Sequence, residues 1–183
     1  MLKRAIDLVC AAVFGIVLAP LALLIALVIE LESRGPLLYN SLRVGRAGRP
    51  FLYHRLRVVK GSPYIPPHER TRFGRLIGNL SLDEIPCLWN VLKGEMSLVG
   101  PGPERSENVD LGDPDWPKVL SVRPGLIGLG LLTFLDNYNQ TSVKDRIGPE
   151  LYYVGNQSLL LDLKILLKTF YFWMRMDHLK GRY

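Results

Sequence analysis

From Leu8 to Ile29 the chain runs 22 residues without a charged side chain, between Lys3, Arg4 and Asp7 before it and Glu30, Glu32 and Arg34 after it. As straight helix this run reaches about 33 Å, enough to cross a bilayer. A secretory signal has an apolar core of roughly 7–15 residues and a small-residue cleavage site, so the run is too long for one. Pro20 sits near its middle. The proline ring removes the amide that would pair with Ile16 and pushes Ala19 out of the helical basin, so a break is expected there. Each arm then measures about 15 Å, half a bilayer. Two shapes stay open: a kinked spanning helix, and a bent hairpin that enters and leaves one leaflet, with basic residues on both flanks as that would require.

The rest of the chain is an ordinary globular length. At 183 residues, 48% hydrophobic and 22% charged, it can bury a core, which excludes disordered, collagenous and low-complexity classes. Cys10 and Cys87 have no spaced partners, so they read as two packed free thiols rather than a zinc site or disulfide framework. Charge is concentrated. Arg34 to Gly78 holds ten basic residues, nine of them Arg, against the single acid Glu69, whereas Asn79 to Tyr183 has 11 basic and 13 acidic residues. Arg grips phosphate oxygens bidentately, which points to phosphates on a lipid surface, a nucleotide or a nucleic acid. No nucleic-acid motif accompanies the patch, so no nucleic-acid partner is expected.

Pro36 to Val44 and Arg49 to Val59 read as strands joined by Gly45-Arg46-Ala47-Gly48, a basic hairpin expected at the membrane surface. Ser62 to Pro67 reads as a proline-rich loop. Leu159 to Met176 reads as a helix whose Leu, aromatic and Lys content suits the headgroup plane, the alternative being a core helix with a solvated Lys edge. The apolar Leu126 to Leu135 stretch is open between a membrane-dipping loop and a partner surface.

The chemically loaded stretch is Ser81 to Leu92. Leu82, Ile85, Leu88, Trp89 and Leu92 fall at helical spacing, with Ser81 or Asp83 as the cap. Ser81 and Glu84 match a capping box, but that register puts Pro86 just past the first turn and deletes a backbone bond. Either way Asp83 and Glu84 stand at a helix N-terminus. Helix capping is one explanation. The other is chemical: a carboxylate kept ionised there is a poor acid but a good nucleophile or metal ligand, and phosphorus is the matching electrophile.

Together these motifs resemble the small monotopic phosphoglycosyl transferases of the bacterial sugar transferase family. The resemblance runs through Lys3-Arg4-Ala5-Ile6-Asp7-Leu8, Arg43-Val44-Gly45, Gly48-Arg49-Pro50-Phe51 and Arg72-Phe73-Gly74-Arg75-Leu76-Ile77. It is most specific from Ser81 to Pro101 and closes with Arg123-Pro124-Gly125, Tyr152-Tyr153 and Leu161 to Ile165. What it implies is transfer of phosphosugar from a nucleotide sugar, usually a UDP-sugar, to polyprenol (undecaprenyl) phosphate on the cytosolic face of the bacterial inner membrane. Asp83 would attack the sugar-proximal phosphate, UMP would leave, and Glu84 matches the family's Mg2+ ligand. Arg57 and Arg123 match basic family positions and are expected to contact substrate phosphates.

The expected fold is α-rich α+β. A re-entrant membrane helix spans residues 1–33, bent at Pro20, and residues 34–183 form a cytosolic, membrane-associated catalytic domain with membrane-surface helices and the hairpin. A homo- or hetero-oligomer is compatible with all of this. The chain departs from the family where anions should bind. Gly102 replaces the Arg of Gly-Pro-Arg-Pro, Gly78 stands where a basic residue is common, and Leu126 to Phe134 lacks an Asn-Gly-Arg. Ala19 also replaces the Ser that usually precedes Pro20. A second function therefore stays open, a catalytically impaired paralogue acting as partner or scaffold of an active transferase.

Overall fold

The computed structural model describes residues 2–32, 35–58, 72–134, 138 and 140–174. Helix α1 (Leu2–Glu32) carries the whole apolar run and continues through Pro20 as one helix. Its buried residues are Asp7, Ala11, Ile25 and Ile29. At about 100° per residue those four fall on one stripe, with Leu18 between them. Ala11 joins a core cluster with Phe51, Tyr53, Cys87 and Val91, against which Leu18 also packs. Ile25 and Ile29 join a second cluster with Leu56 and Ile77. Both arms of α1 therefore pack on the same body, while Val9, Phe14, Ile16, Val17, Leu23 and Leu24 stay exposed.

Strands β1 (Leu38–Val44) and β2 (Pro50–Leu56) form the expected antiparallel hairpin, in register from Leu38 opposite Leu56 to Val44 opposite Pro50. A 3₁₀ turn at Arg46–Gly48 joins them, with Ala47 at φ 57°. Alternation sends Phe51 and Tyr53 into the core and leaves the facing pair Leu42 and Leu52 exposed. Both strands are shorter than the sequence suggests, since Pro36 has no amide to give the ladder. Most of the loop between Val58 and α2 (Arg72–Asn79), including Ser62 to Pro67, lies outside the described residues.

Helix α3 (Cys87–Lys93) ends at Gly94, whose φ of 89° is the left-handed conformation that glycine adopts without a Cβ penalty. It leads into β3 (Ser97–Val99), which pairs in parallel with β4 (Gly125–Ile127). The two strand ends approach so closely that a Cβ on Gly125 would lie 2.1 Å from the Gly100 nitrogen. Between them lies α4 (Asp115–Val119), and after them come α5 (Leu129–Phe134), α6 (Val143–Gly155) and α7 (Leu159–Met174). The chain is a helix-rich α+β protein with one long apolar N-terminal helix.

Two alternatives left open by the sequence are narrowed here. Leu126, Ile127, Leu129 and Leu132, all part-buried, pack against the central core, so over its described length the apolar stretch is built into the fold and is not a free loop. It is β4 and α5, apolar because both sit against β3 and α6. Helix α7 is not a core helix: Asp162 and Ile165 are buried, while Leu160, Leu163, Leu167, Phe170, Tyr171 and Met174 are exposed. A buried polar network ties these pieces together. Asp7 accepts from Ser97 Oγ at 2.8 Å and from the Leu98 amide at 3.2 Å. Lys3 pairs with Asp162 at 2.6 Å, and Asp162 also meets the Tyr153 hydroxyl at 2.7 Å.

Candidate active site

The site is built where α2 hands over to α3. Ser81 adopts φ 54°, ψ 22°, a left-handed conformation that costs a serine about 1 kcal/mol. This corner is followed by a 3₁₀ turn at Leu82–Glu84, after which Pro86 opens α3. Neither expected cap forms. The Ser81 side chain makes no capping bond, and Asp83 and Glu84 lie in the turn ahead of Cys87 rather than on the first amides of α3. The reason is Pro86: with no amide to bond back toward Leu82, the segment breaks into a 3₁₀ turn and a separate helix.

What holds the carboxylates is Arg55 on β2. Its Nη2 lies 2.6 Å from Asp83 Oδ2 and 3.1 Å from Glu84 Oε1. Asp83 is 2% exposed, whereas the Glu84 side chain keeps 25% of its surface. Burial works against the Arg55 charge, but Glu84 and then Asp83 outweigh it and hold its pKa above the ordinary value. Arg55 also stands over the Tyr53 ring at 5.9 Å, and burial followed by the charge on Glu84 pushes that phenol well up. Cys87, next to the dyad in sequence, is buried with its thiol donating to the His54 carbonyl at 2.9 Å. Burial pushes its pKa up too, so it stays a thiol and offers no competing nucleophile.

Asn90 fixes β2 against α3. Its Nδ2 donates to the Leu52 carbonyl at 2.6 Å and to Glu95 Oε2 at 2.7 Å, and its Oδ1 accepts from the His54 amide at 3.3 Å. The strand that carries Arg55 and the helix that follows Asp83 are thus locked in register.

Arg57 and Arg123, the other two expected phosphate contacts, are each fixed to the backbone through Nε. Arg57 is 4% exposed, donates through Nε to the Pro36 carbonyl at 2.8 Å and lies against Gly35. Arg123 donates through Nε to the Gly94 carbonyl at 2.7 Å, so it stands at the opposite end of α3 from the dyad, about 10 Å away by helix rise. Sequence reasoning missed Arg55 and Asn90. Strand alternation carried the signal for the first, since Arg55 shares a face with the inward Phe51 and Tyr53.

A Mg2+ ion, as the resemblance implies, would find a partial donor set here. Glu84 and Asp83 offer hard oxygens, and among the described residues no cluster of three or more His, Cys, Asp or Glu forms a protein cage. Two carboxylates are a donor set that Mg2+ commonly takes, the rest of its shell coming from substrate phosphates and water.

The model of the family described as "Bacterial sugar transferase" matches residues 1–176. The chain belongs to the bacterial sugar transferase family. Its relatives in that family include the UDP-glucose:undecaprenyl-phosphate glucose-1-phosphate transferase of Caulobacter vibrioides, 39% identical over 91% of this chain and 67% of the relative. The UDP-N-acetylgalactosamine-undecaprenyl-phosphate N-acetylgalactosaminephosphotransferase of Aeromonas hydrophila is 34% identical over 92% of this chain but 42% of its own length. The exopolysaccharide production protein PSS of Rhizobium leguminosarum is 33% identical over 92% of both chains. The chain therefore spans the sugar transferase portion of some relatives and nearly the whole of others.

At Gly102, where the resemblance anticipates Arg, an added Cβ would meet the Tyr138 hydroxyl at 3.0 Å and Glu150 Oε1 at 3.8 Å. The Gly102 amide donates to Glu150 Oε1 at 3.3 Å. Burial pushes the Glu150 carboxyl up to about 7, against the pull of the Gly102 and Gly130 amides.

Proposed function

We propose that the protein transfers phosphosugar from a UDP-sugar to undecaprenyl phosphate by way of an aspartyl intermediate, as a membrane step of polysaccharide assembly. The observation that carries this reading is Asp83, buried and held beside Glu84 by the Arg55 guanidinium. A carboxylate oxygen of Asp83 attacks the sugar-proximal phosphorus, the bond to the UMP oxygen breaks, and UMP leaves with its electron pair. An oxygen of the polyprenol phosphate then attacks the same phosphorus and frees Asp83, giving a polyprenyl diphosphosugar. Phosphoryl transfer needs positioning and charge neutralisation more than proton transfer. Arg55, already beside the dyad, is in place to meet a substrate phosphate there. Mg2+, held by Glu84 and the substrate diphosphate, would add charge neutralisation.

The membrane seat in this proposal is monotopic and re-entrant, on the cytosolic face of the inner membrane. In support, both arms of α1 pack on the rest of the chain through one stripe while its outer face is apolar. Helix α7 presents exposed Leu and aromatic residues among Lys164 and Lys168, and it suits the headgroup plane. The exposed Leu42 and Leu52 of the basic hairpin lie at the same boundary in this reading.

The test is UMP release from a panel of UDP-sugars by the full chain in nanodiscs with Mg2+, with and without undecaprenyl phosphate. Release that depends on the lipid and disappears in Asp83→Asn is the expected result. A second reading, a catalytically impaired partner of an active transferase, is favoured by Glu150 and Tyr138 facing the position where the family has Arg. Absence of release across the panel, beside an active relative, selects it.

A further inference from the structure

A cavity of about 210 Å³ opens beside the C-terminal end of α3, lined in part by Lys3, Arg4, Asp7, Arg46, Arg123 and Gln157. That is room for about seven waters at liquid density, more than a bare ion needs.

The cations around it are held in different ways. Lys3 is paired with Asp162, and Arg4 directs its terminal nitrogens to the Leu92 and Met96 carbonyls at 3.2 and 3.5 Å. Arg46 and Arg123 are each anchored through Nε alone, to the Ser121 carbonyl at 3.0 Å and the Gly94 carbonyl at 2.7 Å. Among the described residues no acceptor meets the terminal nitrogens of either, and neither takes part in an ion pair. Anchoring at Nε fixes the guanidinium plane and leaves its two-nitrogen fork to grip an oxyanion.

The cavity's own carboxylate does not serve them, because Asp7 is engaged by Ser97 Oγ and the Leu98 amide. The positive charge is under strain. Burial, and then the neighbouring Arg123, hold the Arg4 guanidinium below its ordinary pKa. An anion between these groups would relieve that repulsion. A carboxylate offers its lone pairs in one plane, whereas a phosphate presents its oxygens tetrahedrally and can accept two forks arriving from separate elements that are not coplanar.

We infer that this cavity binds a phosphate ester, gripped by the forks of Arg46 and Arg123, as a site separate from the Asp83 centre. One source is the headgroup of an anionic phospholipid, since Lys3 and Arg4 directly precede the apolar run and lie at headgroup level in the proposed seat. The other is a soluble phosphate ester.

Thermal unfolding of the full chain in uncharged detergent tests this, with short-chain phosphatidylglycerol, glycerol 3-phosphate and inorganic phosphate as probes. A saturable rise of roughly 5 °C is expected at a hundredfold excess over Kd. It is lost in Arg46→Glu, weakened in Arg123→Lys, and retained in Arg49→Glu, an exposed charge reversal outside the cavity, and in Asp83→Asn. A rise with the lipid alone assigns the headgroup; an equal rise with glycerol 3-phosphate or phosphate assigns a soluble ester. No rise with any probe overturns the site, as does a rise that survives both Arg46→Glu and Arg123→Lys. Displacement by UDP overturns its separateness. UMP release is read in parallel on the same samples, so failure of the transferase reading is seen independently.

Discussion

One nitrogen of Arg55, Nη2, lies 2.6 Å from Oδ2 of Asp83 while remaining within 3.1 Å of Glu84 Oε1. A single cation on β2 thus offsets part of the charge of two adjacent acids that would otherwise repel an incoming diphosphate more strongly. It also aims Asp83, because Asn90 fixes β2 to α3 with hydrogen bonds to the backbone on both sides of the Leu52–His54 segment.

Replacing Arg55 by Ala leaves the buried Asp83 without its closest charge. The loss is expected to cost about 2 kcal/mol, less than a fully buried pair because Arg55 is part-exposed, and denaturant unfolding reads it. Arg55→Lys keeps the charge and most of the stability but not the planar fork, so turnover should fall more than stability does. Equal losses in both variants would count against a phosphate-facing role.

Glu150 gives the fold a pH dependence. Its carboxyl has a pKa of about 7 in the folded chain against 4.5 for the ordinary group, so between those values the native state binds more protons than the unfolded one. Its contribution is therefore most favourable below the ordinary value and falls as pH rises through about 7, by roughly 3 kcal/mol in all. Glu150→Gln should remove that slope. Unfolding free energies of the two proteins, compared across pH 4.5 to 8, should diverge in favour of the variant as pH rises; parallel curves would refute the shift.

Asp7 joins α1 to β3 through two buried hydrogen bonds to one carboxylate. At about 1.5–3 kcal/mol for each bond to a charged group, Asp7→Ala should cost on the order of 3 kcal/mol after relaxation. Asp7→Asn keeps one acceptor and should cost about half as much. Limited proteolysis of the two variants in detergent would rank them.

The topology of α1 is tested by single cysteines introduced at Leu2 and Glu32, both exposed, in a Cys10→Ser, Cys87→Ser background. An impermeant maleimide should label neither position in intact spheroplasts and both in inverted membrane vesicles. Labelling of one position from each side would establish a spanning helix.

Much was legible in the sequence because it is written in local pattern. The uncharged run from Leu8 to Ile29, the alternation that makes β1 and β2, and the Leu-rich periodicity of α7 each follow from which neighbouring side chains share a face. The acidic pair and its surrounding block were also found at sequence level, through a resemblance that the family match bears out.

Tertiary structure decided which charges meet. Arg55, Arg57 and Arg123 look alike in the chain, yet one pairs with both acids of the dyad, one bonds the Pro36 carbonyl, and one bonds the Gly94 carbonyl at the far end of α3. It also decided that Leu126, Ile127, Leu129 and Leu132 pack against the core and that one stripe of α1 packs on the body along both of its arms. Periodicity fixes the direction of a side chain relative to its own backbone. Its partner depends on contacts between segments far apart in sequence, such as Asp7 with Ser97 and Lys3 with Asp162, and only the packed chain brings those together.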